Sequence, residues 1–276
     1  MTSGTDCQNP GVQLTLFSRF LLFHLAVKGA MAAVAPGRPV DIGVAIAFAI
    51  CLLMSFRRRT LQWAIWFALP VLCVRLGSYF PSTANLSGLE FLCLLFLGIA
   101  QVQKPEDQPL ALSALRFLAV WAMLFSGVQK VLYGTYFNGA YLAMLIANQG
   151  RFALPFYFVM PADELETLQN AAVDGPYTIR APAVLILSNL VYILEIAAAF
   201  LLVVPRYRRY GVVLACALLV AIEVGAREYT FGMLVLNLLF LFLDERWSRR
   251  GLVIAVAFYS VMLLDTLTWK LLGGFH

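Results

Sequence analysis

The sequence predicts an all-α fold, a polytopic integral membrane helical bundle with eight or nine transmembrane helices in a single domain over residues 1–276. Three observations predict it. Of the 276 residues, 62% are hydrophobic and 13% charged, with a mean hydropathy of +0.83, whereas a soluble domain carries about 25% charge and about 45–50% apolar residues. The apolar residues gather into runs close to the roughly 20 that a helix needs to cross a bilayer, without the alternation of a membrane strand. Arginine clusters punctuate the runs, as topology signals do.

Taken in order, the first span is residues 14–34, followed by a turn between Pro36 and Pro39. The second, 41–56, stops at Arg57, Arg58 and Arg59; the third, 61–79, contains Pro70 as a kink and closes at Pro81. The short fourth span, 86–101, ends before a polar link with Lys104, Glu106 and Asp107, and the fifth covers 111–133. Residues 134–181 then interrupt the spans. Within this loop, 136–148 suits an amphipathic interfacial or re-entrant helix and 151–161 an aromatic surface segment. Asp163, Glu164, Glu166 and Asp174 follow, and acids without bases belong in water. Pro182 opens the second group, a position that favours proline, with spans at 182–204, 210–226, 230–243 and 251–272.

Charge distribution phases this layout. With nine spans and a cytoplasmic N-terminus, the inner loops hold Arg57, Arg58, Arg59, Lys104, Arg206, Arg208, Arg209, Arg246, Arg249 and Arg250. The outer connections hold only Arg38, Arg151, Arg180 and Arg227, so the 134–181 loop and the C-terminus face the periplasm, lumen or exterior. This pattern assigns the net charge of +5 to topology rather than to nucleic acid. No cleavable signal peptide is expected, because the first run follows a polar start and is broken by Arg19, His24 and Lys28. The five cysteines form no CxxC and read as small buried hydrophobes; the two histidines form no HExxH, so no metal is predicted. Asn85-Leu86-Ser87 matches a glycosylation sequon, but it sits almost at the membrane and is discounted.

The segment that stands out is 124–141, LFSGVQKVLYGTYFNGAY. Lys130 lies in the last turn of an apolar span, where a cation must snorkel, find a partner or serve a site. Three readings are open: a snorkelling lysine, a structural partner for Glu90, Glu223 or Asp265, and a base whose amine burial keeps neutral. Gly127 permits close helix packing, and Gly134, Asn138 and Gly139 mark the chain turning out of the helix. Elsewhere, Glu223 and Arg227 are spaced i,i+4 for pairing, as Arg75 and Glu90 are by depth on neighbouring spans. Asp265 and Trp269 are one turn apart. Glu195, the deepest carboxylate, must be protonated or paired, and suits a proton path.

At 124–141 the sequence resembles the membrane core of the vitamin K-dependent gamma-carboxylase superfamily, the horizontally transferred transmembrane domain. The residues are Ser126, Gly127, Val128, Gln129 and Lys130, then Tyr136, Gly139 and Tyr141; a second match is Tyr229-Thr230-Phe231-Gly232-Met233, leading into Asn237. Part of the Ser-Gly-x-x-Lys pattern is also similar to the DoxX-like quinone-linked membrane proteins. The resemblance implies a lysine acting as base on reduced vitamin K from the lumenal side; oxygen then yields an alkoxide that removes a glutamate gamma proton before carbon dioxide adds. Two departures are present. Where the family has an assisting histidine, this chain has the stretch from Ala84 to Glu90, with Asn85 in its place. The chain also ends four residues after its ninth span, with no counterpart of the substrate-recognising lumenal domain, so carboxylation of protein glutamate is not expected.

The resulting expectation is an outward-facing pocket for a quinone, hydroquinone or other apolar molecule, lined by the fourth, fifth and seventh spans. Lys130 is its base, Asn85 and Glu90 are nearby catalytic groups, and Glu223, Arg227, Tyr136, Tyr141 and Asp265 bind substrate. Lipid and a membrane-protein partner are the other associations expected. The alternatives are a non-catalytic assembly subunit docking through the 134–181 loop, and a transporter with Glu195 carrying the coupling proton.

Overall fold

The computed structural model describes residues 10–34, 39–79, 85–102, 105–148, 156, 158–171, 175, 177–226 and 229–271. Among them are eleven α-helices and no strand. They are α1 (Pro10–Val34), α2 (Pro39–Ser55), α3 (Arg58–Tyr79), α4 (Asn85–Val102), α5 (Gln108–Tyr133), α6 (Ala140–Asn148), α7 (Ala162–Gln169), α8 (Pro182–Val203), α9 (Arg208–Ala226), α10 (Tyr229–Phe240) and α11 (Glu245–Leu271).

Among the described residues, α1, α3, α5 and α8 are each long and apolar enough to cross a membrane, and α2, α4 and α10 contain shorter apolar stretches. The side-chain distribution of α8 carries the same message. Its buried face holds Ser188, Glu195, Ala198 and Ala199 together with Val184 and Leu202, while Ile186, Leu190, Ile193 and Phe200 are exposed. A helix in water buries its large aliphatic side chains; one in lipid exposes them and packs through small and polar groups. Likewise, α2 exposes Ile42, Ile46, Ile50 and Leu53 along one stripe. These helices define an integral membrane protein.

Backbone contacts divide the chain into two compact units, 1–119 with 229–276, and 120–228. The division is not sequential: the last two helices join the first four, and the boundary falls inside α5. In the first unit α1 is the hub. It packs against α2, α3, α4, α10 and α11, and buries Leu14, Phe17, Phe20, Leu21, Leu22 and Leu25 around its circumference. Long-range hydrogen bonds tie the C-terminal helices into this unit: Gln13 Nε2 donates to the Leu243 carbonyl at 2.7 Å, Asn237 Nδ2 to Phe17 at 3.1 Å and Arg116 Nε to Leu241 at 2.8 Å. Nothing local in the sequence signals such pairings across more than a hundred residues.

The second unit contains the end of α5, the 134–181 loop, α8 and α9. The described parts of the loop are folded. Leu142, Ala143 and Ile146 of α6 pack with Leu165 and Leu168 of α7, Phe156, Met160, Ile179 and Val184 in one apolar cluster. Of the acids, Asp163, Glu164 and Glu166 lie on α7, with Asp163 and Glu164 in its first turn, where the helix dipole favours them, and Asp174 lies outside the described residues. Glu164 Oε1 accepts the backbone N–H groups of Arg180 and Ala181, fixing the approach to α8. Asp163 and Glu166 are exposed, as uncompensated acids require.

Gly127 sets the approach of α5 to α8. A Cβ built there would lie 2.6 Å from Ile196 Cγ1 and 3.1 Å from the Tyr192 carbonyl oxygen. Alanine improves helix propensity by about 1 kcal/mol over glycine, but overpacking against a backbone carbonyl costs about 1–3 kcal/mol. Gly127→Ala is therefore expected to lower the thermal midpoint of the detergent-solubilised protein; an unchanged or raised midpoint would show that α5 and α8 do not approach this closely.

Candidate functional site

Lys130 sits in the last turn of α5, and the chain then turns sharply. Gly134 and Gly139 both take φ of +71°, a left-handed conformation open to glycine. The Gly134 N–H returns to the Lys130 carbonyl at 3.3 Å, and Asn138 Oδ1 accepts the Ala140 N–H at 3.1 Å. α8 holds the turn from the side. Ser188 Oγ donates to the Tyr136 carbonyl at 2.7 Å, Asn189 Nδ2 to that of Phe137 at 3.3 Å, and the Phe137 ring meets Tyr192 edge-on at 5.5 Å. The turn thereby sets Tyr136 beside the lysine.

The amine is closely held. Lys130 Nζ lies 2.6 Å from Glu195 Oε1 and 2.7 Å from Oε2, and donates to Ser126 Oγ at 2.8 Å. Ser126 Oγ in turn donates to Glu195 Oε1 at 3.2 Å. The Tyr136 ring centroid is 5.5 Å from the nitrogen, and Tyr136 stacks on Tyr141 with centroids 4.8 Å apart. The Glu195 side chain is 2% exposed and that of Lys130 17%, so the carboxylate is sealed while the lysine side chain keeps a small exposed part. Of the sequence-predicted site residues, Lys130, Tyr136 and Tyr141 come together here.

Glu195 is the partner the sequence did not supply. Counting residues from span ends put it near mid-membrane and proposed Glu90, Glu223 or Asp265 for Lys130. Two facts close the gap. The contacts between α5 and α8 run in opposite order, Gly127 meeting Tyr192 and Ile196 while Tyr136 meets Ser188. Helical side chains lean towards their own N-terminus, so on helices running in opposite directions Lys130 and Glu195 lean towards each other. The Ser126–Lys130 spacing of one turn and the intervening Gly127 were the sequence signals available.

Glu90 lies on α4, in the other unit, and is fully buried. Its oxygens are taken by α1: His24 Nε2 is 2.7 Å from Oε1, and Lys28 Nζ is 2.6 Å from Oε1 and 2.8 Å from Oε2. Lys28 also donates to Ser87 Oγ at 3.1 Å. The expected Arg75–Glu90 pair is thus replaced by a His24–Glu90–Lys28 triad. His24 and Lys28 share one face of α1 at i,i+4 spacing, a signal that reading His24 in isolation overlooked. Glu223 is fully buried on α9. The side chains of Asn85 and Asp265, and the whole of Arg227, lie outside the described residues.

The fold and these clusters define an all-helical membrane protein in which carboxylates buried on one helix are clasped by cations from another. No protein-family model matches the chain, and neither a curated protein nor a solved structure matches it.

Removing one member of a buried ion pair strands the other and costs about 3–5 kcal/mol, whereas replacing both with apolar residues is often neutral. Lys130→Met and Glu195→Leu are each expected to destabilise the protein by that order. The combined variant is expected to recover most of the loss in chemical unfolding of the solubilised protein. Additive losses would show that the two side chains do not form a pair.

Proposed function

We propose that this chain is a carboxylase-like membrane protein that receives a lipid-soluble hydroquinone or quinone at Lys130, with the Lys130–Glu195 couple as the proton acceptor. The single observation that carries this reading is the amine held on both oxygens of Glu195 and 5.5 Å from the ring of Tyr136, which stacks on Tyr141, on a lysine side chain that is not fully buried. A planar ring finds an aromatic surface in the tyrosines, and a ring hydroxyl finds a base in the couple. The Ser126-to-Lys130 segment and its following aromatic residues are the elements that resemble the carboxylase superfamily.

The chemistry follows from proton count. An ammonium bonded to a carboxylate, or an amine bonded to a carboxylic acid, is the same couple holding one transferable proton and no net charge. When a hydroquinone binds, its O–H bond breaks and the proton enters the couple. The couple becomes ammonium plus carboxylic acid, with a charge of +1, and the ligand leaves as, or reacts as, the hydroquinone monoanion. Attraction between the two products offsets part of the cost of separating charge inside a low-dielectric bundle. This refines the base reading: Lys130 need not be neutral beforehand, because Glu195 receives the additional proton. The transporter reading, which placed a coupling proton on Glu195, converges on the same couple.

Eight or nine crossings, a cytoplasmic N-terminus and an outward-facing Lys130 complete the proposal, supported by ten basic residues in the inner loops against four in the outer connections.

The test uses the protein in lipid discs. Wild type is expected to retain a quinone detectable by mass spectrometry of the extract. The combined Lys130→Met/Glu195→Leu variant, its fold verified by its unfolding midpoint, is expected to lose at least about 90% of it, a tenfold affinity loss corresponding to about 1.4 kcal/mol. Equal retention by the two proteins, or no quinone in either after reconstitution with added menaquinone, would overturn the proposal.

A further inference from the structure

Phe158 is 90% exposed and its neighbour Val159 46%, yet the residues that flank them face the other way, Phe156 and Met160 each being 5% exposed. The backbone fixes this reversal. The Val159 N–H returns to the Phe156 carbonyl at 3.0 Å and the Met160 N–H to the same oxygen at 2.9 Å. This closed turn sends 156 and 160 into the apolar cluster of the loop and leaves 158 and 159 at its tip. Residues 156 and 158–161 are the described part of the aromatic stretch expected over 151–161.

Two ties place this tip in depth. Phe156 and Met160 share their cluster with Ala181 and Val184, at the start of α8. Glu164, on the helix that follows the turn, accepts the backbone N–H groups of Arg180 and Ala181. The turn is thereby held beside the first turn of α8. With 22 residues, α8 is about 33 Å long against about 30 Å of hydrocarbon, so its first turn lies at the edge of the acyl region. Its exposed apolar side chains begin there, with Ile186, Leu187 and Leu190. Phe137, also exposed, is joined to Asn189 and Tyr192 at the same level. Phe158 and Val159 therefore stand level with a surface that faces lipid, rather than alone in water.

We propose that Phe158 and Val159 insert into the bilayer at the boundary between headgroups and acyl chains, pinning the 134–181 loop to the membrane beside α8. The partner is the lipid, recognised by apolar contact rather than by charge. Removing an apolar side chain from water is favourable in proportion to its area, and interfacial segments bury such residues about 5–10 Å into this boundary. The exposed charges nearest in sequence are the acids Asp163 and Glu166 on α7, which anionic headgroups repel. The surface therefore fits a zwitterionic lipid. The contact belongs to the second unit and does not depend on a ligand at Lys130.

Photo-crosslinking of the full chain in phosphatidylcholine discs tests it, with p-benzoylphenylalanine in place of Phe158 and, as the control facing water, in place of Glu166. Irradiation is expected to give a phosphatidylcholine adduct at position 158, identified by mass spectrometry of the digested chain, and none at 166. The probe in place of Val159 covers the case in which the 158 variant fails to fold, and is expected to give the same adduct. Discs that also contain phosphatidylglycerol are expected to leave the total lipid adduct at 158 unchanged. Lipid adducts of equal yield at 158 and 166 would show that the probe itself seeks the membrane and would overturn the proposal. So would crosslinking of 158 to a second copy of the chain in place of lipid, the absence of any lipid adduct at both 158 and 159, or an adduct that forms only when phosphatidylglycerol is present.

Discussion

A lysine and a glutamate that must meet inside a bilayer constrain the second unit more tightly than any apolar contact does. Between helices surrounded by lipid there is no hydrophobic gain from association, so packing, hydrogen bonds and charge must position them. Desolvating either ion alone costs several kcal/mol, and their attraction offsets this only when both are well satisfied. The satisfaction here is extensive: both Glu195 oxygens are used, Ser126 bridges, and Tyr136 stands at 5.5 Å from the amine. Gly127 is required because the pair forms only if α5 approaches α8 closely, and the glycine turn at 134–139 is required because it returns Tyr136 to the amine.

The first unit uses the same device with different parts. Glu90 receives two side chains from one face of α1, so α1 and α4 are joined at the same depth by His24 and Lys28. Asp41 and Tyr79 join α2 to α3. Both Glu90 oxygens are taken by partners on α1, whereas Asp41 uses Oδ2 for Tyr79 and its buried Oδ1 has no partner. The two clusters differ in what they leave available. At Lys130 the side chain is partly exposed and its amine fully bonded; at Arg75 the buried Nη1 has no acceptor.

Much of the helix layout was legible. Runs bounded by Pro36–Pro39, Arg57–Arg59, Pro81 and Pro182 coincide with α1 to α4 and α8 to within a few residues, because proline and charge clusters terminate apolar helices for physical reasons. Gly134, Asn138 and Gly139 were legible as a turn because positive φ restricts the choice of residue. Crossing number is harder to read. α10 has only 12 residues, about 18 Å of helix, against about 30 Å of hydrocarbon, so apolar character alone does not make it a span. Pairing was the least legible layer. Lys130 and Glu195 are 65 residues apart, and their meeting depends on the direction of two helices and the lean of their side chains rather than on any local pattern. The grouping of α10 and α11 with α1 was hidden for the same reason: its hydrogen bonds join residues such as Gln13 and Leu243, 230 positions apart.

The most direct test of the account is solid-state NMR on the protein in lipid, labelled at lysine side-chain nitrogen and glutamate side-chain carboxyl carbon. The account predicts a short-range dipolar contact assigned to Lys130 and Glu195, present in wild type and absent when Lys130 is replaced by methionine. A spectrum in which the Lys130 nitrogen shows no carboxyl contact would contradict it, placing the amine in the headgroup region and removing the couple on which the proposed chemistry rests.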